Sequence, residues 1–121
     1  MKRLPLLVAL ALMALSTVAF GQMIQKGDFS ADINSEGWTL GGGNGVRIHI
    51  IFVTFEKPFE AVPQVLVSLT GTDASAGKDG TVRVSLKTEK VRRDGFVIKV
   101  QTWADSRVGA AYGSWIAFTS K

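Results

Sequence analysis

The sequence has no cysteine, a single histidine and only three prolines in 121 residues. Without thiols there is no disulfide framework, no thiolate metal site, no cysteine nucleophile and no haem attachment. An exported domain often carries disulfides but does not require them, because ~100 residues can bury a sufficient core. One histidine, His49, cannot build a histidine metal cluster, and a histidine dyad would have to use it. A lone histidine on a strand reads as a surface or core residue. The serines have no evident base, and no carboxylate pair is placed in a pocket by its spacing, so no enzyme signature remains. No metal, cofactor or catalytic activity is expected.

Apolar residues are unevenly spread. Residues 1–21 hold 15 of them, including an unbroken run of ten from Leu6 to Leu15. Lys2 and Arg3 precede the run, and Ala19-Phe20-Gly21 places small residues at the −3 and −1 positions of a cleavage before Gln22. Ten apolar residues are too few to span a bilayer, which needs ~20. The segment reads as a cleavable export signal, residues 1–21, ahead of one domain, residues 22–121. Nothing in the mature chain could cross a membrane. The expected destination is extracellular, periplasmic or the cell surface.

Charge of one sign is scarce once the signal is set aside. Removing Lys2 and Arg3 leaves 12 basic residues against 10 acidic ones, a net charge of +2 rather than +4. That balance gives no argument for nucleic acid or anionic lipid as a partner. Leucine is also scarce, with four in the mature chain against eleven valines, seven isoleucines and eight threonines. β-Branched side chains suit a pleated sheet and lose rotamer freedom in a helix. Short runs bounded by turn residues predict antiparallel strands in a sandwich or barrel.

The expected strands are Met23–Phe29, Val46–Phe55, Val65–Leu69, Thr81–Lys90, Phe96–Trp103 and Ser114–Thr119. The glycine cluster at 41–45 closes the first long loop, and Thr70–Gly80 reads as a polar loop. The blurred apolar phase at Ile50-Ile51-Phe52-Val53 suggests a bulge or burial on both faces. Arg93-Asp94-Gly95 reads as a hairpin turn, and Ala104–Gly113 as loop or ragged strand.

Alternation brings two residues together. If Val82, Val84 and Leu86 face the core, Arg83 faces outward, and if Phe96, Ile98 and Val100 face inward, Trp103 faces outward. The two strands are joined by a tight turn, so an arginine and a tryptophan share an outer surface. An indole face beside a guanidinium suits a sugar ring, which stacks its C–H side and offers hydroxyls to the donor. The same pair also suits a subunit contact. Gly71 to Lys78 has the wrong spacing for a phosphate loop, and Asp79 stands where Ser or Thr is needed. Asp73, Asp79 and Asp105 lack the alternation of a calcium loop and read as turn residues.

Phe55-Glu56-Lys57-Pro58-Phe59, Pro63-Gln64-Val65 and Ser68-Leu69, then Val82-Arg83-Val84, Gly95-Phe96, Thr102-Trp103, Val108 and Ser114-Trp115-Ile116, run in the order seen in H-type lectins. The chain resembles these snail agglutinins and discoidin C-terminal domains over roughly Val46 to Thr119. The resemblance implies a six-stranded antiparallel β-sandwich, assembly as a homotrimer or hexamer, and metal-independent binding of N-acetylgalactosamine, galactose or related sugars. It implies Arg83 and Trp103 as sugar contacts, with Gly42 and Asn44 supplied by a neighbouring subunit. Where the snail pattern has histidine and tyrosine, this chain has Ala104 and Gly109. Asp105, Arg107 or Tyr112 would then take over contacts. The alternative is a structural or adhesive protein-interaction module on the same scaffold without sugar binding, for which Gly109 and Gly113 strip the loop of side chains.

Overall fold

A computed structural model describes residues 23–120. The expected signal segment and its cleavage point lie outside the described residues. Among the described residues six strands follow one another without a helix: β1 (Ile24–Asp32), β2 (Arg47–Thr54), β3 (Gln64–Ser75), β4 (Ser85–Glu89), β5 (Gly95–Thr102) and β6 (Arg107–Phe118). They form two three-stranded sheets, β1-β6-β3 and β2-β5-β4, with every pairing antiparallel. The fold is the expected six-stranded antiparallel β-sandwich. No helix among the described residues is long and apolar enough to cross a membrane.

The core lies where the inward faces of the two sheets meet. Phe96, Ile98 and Val100 of β5 are buried in the expected phase, opposite Phe29, Val108, Ala111 and Ala117 of the other sheet. Phe55 and Phe59, from the connection after β2, close one end. Phe55 packs 4.9 Å from Phe59, 5.6 Å from Phe96 and 5.7 Å from Trp115, measured between ring centroids. Such pairs contribute about 0.5–1.5 kcal/mol each beyond the area they bury. At Gly113 the space of a side chain is filled by the Phe29 ring and the Ser68 carbonyl. Gly113 is therefore a buried strand residue and not part of a stripped loop.

Several strand limits differ from expectation for identifiable reasons. β2 contains no bulge, since its pairing with β5 is continuous from Arg47↔Thr102 to Thr54↔Gly95. Its apolar phase blurs because Ile48, Ile50 and Phe52 point outward and are exposed, Phe52 at 82%. The irregularities lie instead between β3 and β6, where Thr70 and Gly109 are each left unpaired. Across the Thr70 bulge β3 continues to Ser75, so half of the expected polar loop is strand. β6 likewise starts at Arg107 rather than Ser114, and β1 extends to Asp32 to pair with it.

β4 is shorter than expected. Thr81–Val84 lie outside the ladder, and Val82 is 48% exposed rather than in the core. Only Val84 and Leu86 pack inward, half-buried. The long loop before β2 is anchored, not loose. Leu40 is fully buried, and its carbonyl accepts the Val108 N–H at 2.8 Å. The Trp38 indole donates to the Val108 carbonyl at 2.9 Å and packs 4.9 Å from the buried His49 ring. His49 is thus a core residue.

Candidate functional site

Three loops, residues 41–46, 76–84 and 103–106, meet at one end of the sandwich. Arg47, the first residue of β2, holds two of them together. It lies in the inward phase of its strand with His49, Ile51 and Val53. Its guanidinium donates to the carbonyls of Gly42 (2.5 Å), Gly45 (3.0 Å), Ala104 (2.6 Å) and Ser106 (2.9 Å). The Gly45 N–H adds a further bond to the Ala104 carbonyl at 3.0 Å. Ala104 has φ of +55°, a left-handed conformation that disfavours a residue with a Cβ. This turn lifts Trp103 off the end of β5, where it is 37% exposed. Trp103 thus sits in a turn, not on the outer face of a strand.

The third loop is fixed by buried hydroxyls. Thr102 and Ser106, both fully buried, flank the Trp103 turn. Thr102 Oγ1 donates to the Arg83 carbonyl at 2.6 Å, and the Arg83 N–H donates to Ser106 Oγ at 3.0 Å. Ser106 Oγ in turn donates to the Ser75 carbonyl at 3.1 Å. Side chains, instead of a sheet ladder, therefore dock Arg83 beside the residues that carry Trp103. The Arg83 guanidinium meets Asp79 in a two-pronged ion pair, Nη2 to Oδ2 at 2.5 Å and Nη1 to Oδ1 at 3.3 Å. The hydrogen bond from Arg83, then the one from the Thr81 N–H, hold the Asp79 carboxyl down at about 2. The same bond pushes the Arg83 guanidinium up, with Asp105 adding a weaker coulombic contribution.

The remaining expected residues are placed differently from one another. Asp105 Oδ2 accepts the Lys78 N–H at 2.9 Å, and its carboxylate fills the space a side chain at Gly77 would need. That side chain is already engaged in holding the 76–84 loop. Gly42 and Asn44 lie on the loop that Arg47 ties to Ala104 of the same chain. The Asn44 Oδ1 accepts the adjacent Gly45 N–H at 2.9 Å. Arg107 is exposed at the start of β6 and lines a shallow depression of about 380 Å³ with Gly41, Asp73 and Gly109. Neither Arg83 nor Trp103 borders that depression. Tyr112 sits mid-strand on β6 with its ring across Gly71. Gly109 is the unpaired bulge residue of β6, and an added Cβ would find its nearest neighbour at 3.6 Å. Among the described residues no cluster of three or more His, Asp or Glu side chains is placed to hold a metal.

Sequence reasoning passed over Arg47 and Ser106, set Asp79 aside as a turn residue, and met Thr102 only beside Trp103 in the lectin-like pattern. Arg47 had a signal, an arginine in the inward phase of a strand, and Asp79 stands four residues before Arg83. Nothing local reports what the two hydroxyl residues do, because their partners are distant backbone groups.

The H-type lectin domain model matches residues 50–118, which takes in β3 to β6 and most of β2. The chain belongs to the H-type lectin family. A protein of Fuscovulum blasticum known as ATP synthase subunits region ORF 7 is 32% identical over 100 residues, covering 83% of this chain and 81% of that one. Among solved structures, wild-type discoidin II from Dictyostelium discoideum superposes with a TM-score of 0.74 at 25% identity. The native structure of recombinant discoidin II gives 0.73 at 25% identity. Each covers 84% of this chain but only 38% of the discoidin II chain, so the lectin spans well under half that protein's length. The family match covers Arg83, Asp79 and the whole Trp103 turn of this lectin. It begins after the glycine cluster and Arg47.

Proposed function

We propose that this H-type lectin is an exported, metal-independent carbohydrate-binding protein that takes neutral N-acetylgalactosamine- or galactose-type sugars at Arg83 and Trp103. The observation that supports the reading is the bonding of the Arg83 backbone to Thr102 and Ser106, the residues that flank the turn carrying the exposed Trp103. A sugar ring stacks its C–H face on Trp103 while its hydroxyls accept from Arg83. The glycine loop with Gly42 and Asn44 supplies backbone and amide groups at the rim. Ala104 and Gly109 leave the site without a second ring, so single-site binding is weak and assembly as a homotrimer or hexamer supplies avidity. The signal segment 1–21 directs the chain out of the cytoplasm, and N-terminal sequencing of exported protein reads the cleavage directly, with Gln22 expected first.

The test is a glycan array probed with the purified protein and with Arg83→Ala and Trp103→Ala, their folds checked by circular dichroism. Binding that is lost in both variants supports the site. Equal binding by the variants and the unmodified protein removes these residues from it.

A second reading, a protein-contact or adhesive module, is favoured by one observation. Ile48, Ile50 and Phe52 form an exposed apolar row on the outer face of β2-β5-β4. It predicts silence across the array, no competition by monosaccharides, and loss of assembly in Trp103→Ala.

A further inference from the structure

The Arg83–Asp79 pair sets a half-exposed carboxylate beside the guanidinium. Asp79 Oδ1 accepts both Arg83 Nη1 and the Thr81 N–H, the latter at 3.0 Å. Asp79 Oδ2 accepts only from Arg83 Nη2, and the Asp79 side chain is 53% exposed. A carboxylate oxygen has room for a second donor, so Oδ2 keeps an acceptor position open. Arg83 Nη1 also donates to the Thr81 carbonyl at 3.5 Å, and the guanidinium retains N–H groups beyond these three bonds. Donor and acceptor therefore lie side by side, the arrangement that two neighbouring sugar hydroxyls satisfy, one accepting from Arg83 and the other donating to Asp79.

The same geometry acts against charged ligands. A carboxylated sugar would seek the two-pronged contact with Arg83 that Asp79 already makes. Asp105 adds a second negative charge near the guanidinium. Displacing Asp79 would also leave its charge without its partner beside an incoming anion. Among the described residues neither Lys78 nor Arg107 makes an ion pair with Asp79 or Asp105, and the Arg47 guanidinium is taken up by the carbonyls of Ala104 and Ser106. Specificity by repulsion of the wrong ligand is as effective as added attraction for the right one.

We propose that Asp79 is a ligand-contacting residue of this site, accepting a hydroxyl proton from a neutral saccharide and excluding carboxylated ones. The inference rests on the carbohydrate-binding reading above. Asp79→Asn is the informative variant, because its amide oxygen can still accept the Thr81 N–H and preserve the turn. The array carries terminal galactose and N-acetylgalactosamine beside sialic and uronic acids, and is probed with the full protein, Asp79→Asn and Arg83→Ala. Asp79→Asn should lose about tenfold in affinity for neutral sugars, the effect of one charge-assisted hydrogen bond, and gain binding to carboxylated ones. Arg83→Ala should bind neither class. Neutral-sugar binding by Asp79→Asn within twofold of the unmodified protein overturns the proposal, as does a loss with no gain for carboxylated sugars. In those cases a silent Arg83→Ala leaves the lectin reading standing. An Arg83→Ala variant that binds normally removes the site itself.

Discussion

The Arg47 guanidinium lies 2.6 Å from the Ala104 carbonyl, across 57 positions of sequence, and joins the glycine loop to the turn that presents Trp103. Its four acceptors are all backbone carbonyls, so no partner can move to follow a shorter side chain. Arg47→Met should keep the buried stem but leave the Gly42 and Ser106 carbonyls without this donor. A loss of about 2–4 kcal/mol is expected in urea denaturation, with faster amide exchange at Gly45. Unchanged stability would show that water replaces the guanidinium at no cost.

Ala104 supports Trp103 from a left-handed backbone conformation, φ +55°. A Cβ there costs about 1–2 kcal/mol, part of which is offset because glycine has more freedom to lose on folding. Ala104→Gly should therefore stabilise the protein by about 0.5–1 kcal/mol, read as a shift of the urea midpoint with unchanged slope. Ala104→Val should destabilise it.

Gly113 and Gly109 stand four residues apart on β6 and predict opposite outcomes. A Cβ at Gly113 meets the Ser68 carbonyl and the Phe29 ring, neither of which can move without opening the sheet or core. Gly113→Ala should cost about 3 kcal/mol or more. At Gly109 the nearest atom to an added Cβ is 3.6 Å away, an ordinary contact, and Gly109→Ala should stay within about 1 kcal/mol of the parent. Thermal or urea unfolding of the two variants separates a buried strand glycine from a bulge glycine.

The strongly patterned parts of this fold were legible in the sequence. In β5 Phe96, Ile98 and Val100 face the core, and the two faces differ enough for alternation to place them. The β2 pattern misleads because Ile48, Ile50 and Phe52 are as apolar as their inward neighbours, yet sit in solvent. β3 beyond Leu69 reads as loop because Gly71, Thr72 and Asp73 are turn-forming residues, and the Thr70 bulge shifts the phase between the two parts. Alternation put Arg83 on a strand, whereas it lies in the loop before β4. Val82 is exposed, and the residue is held by Thr102 and Ser106 instead of a ladder, a tie that no local pattern reports. The Asp79–Arg83 pair was present as a spacing of four, but its meaning depends on a loop conformation.

The Asp79 carboxyl is held at about 2 by Arg83, below its usual 3.8. A folded-state value below the unfolded one means that the ionised pair supports the fold above the ordinary carboxylate range. That support fades as pH falls from about 4 towards 2. Carbon-detected NMR titration of the Asp79 carboxyl should give a midpoint near 2, and Arg83→Ala should return it towards 3.8. A midpoint in the ordinary range in the unmodified protein would mean that the pair is not formed in solution.

The most direct test of a sugar site at Arg83 and Trp103 is a titration of isotopically labelled protein with N-acetylgalactosamine, following the three indole N–H resonances. Trp38 donates to the Val108 carbonyl and Trp115 packs half-buried against Phe55 and Phe96, so both serve as internal controls. A saturable shift of the Trp103 resonance alone, abolished in Arg83→Ala, is the predicted result. Saturable shifts elsewhere with Trp103 unmoved, or no shift at any concentration, would contradict it.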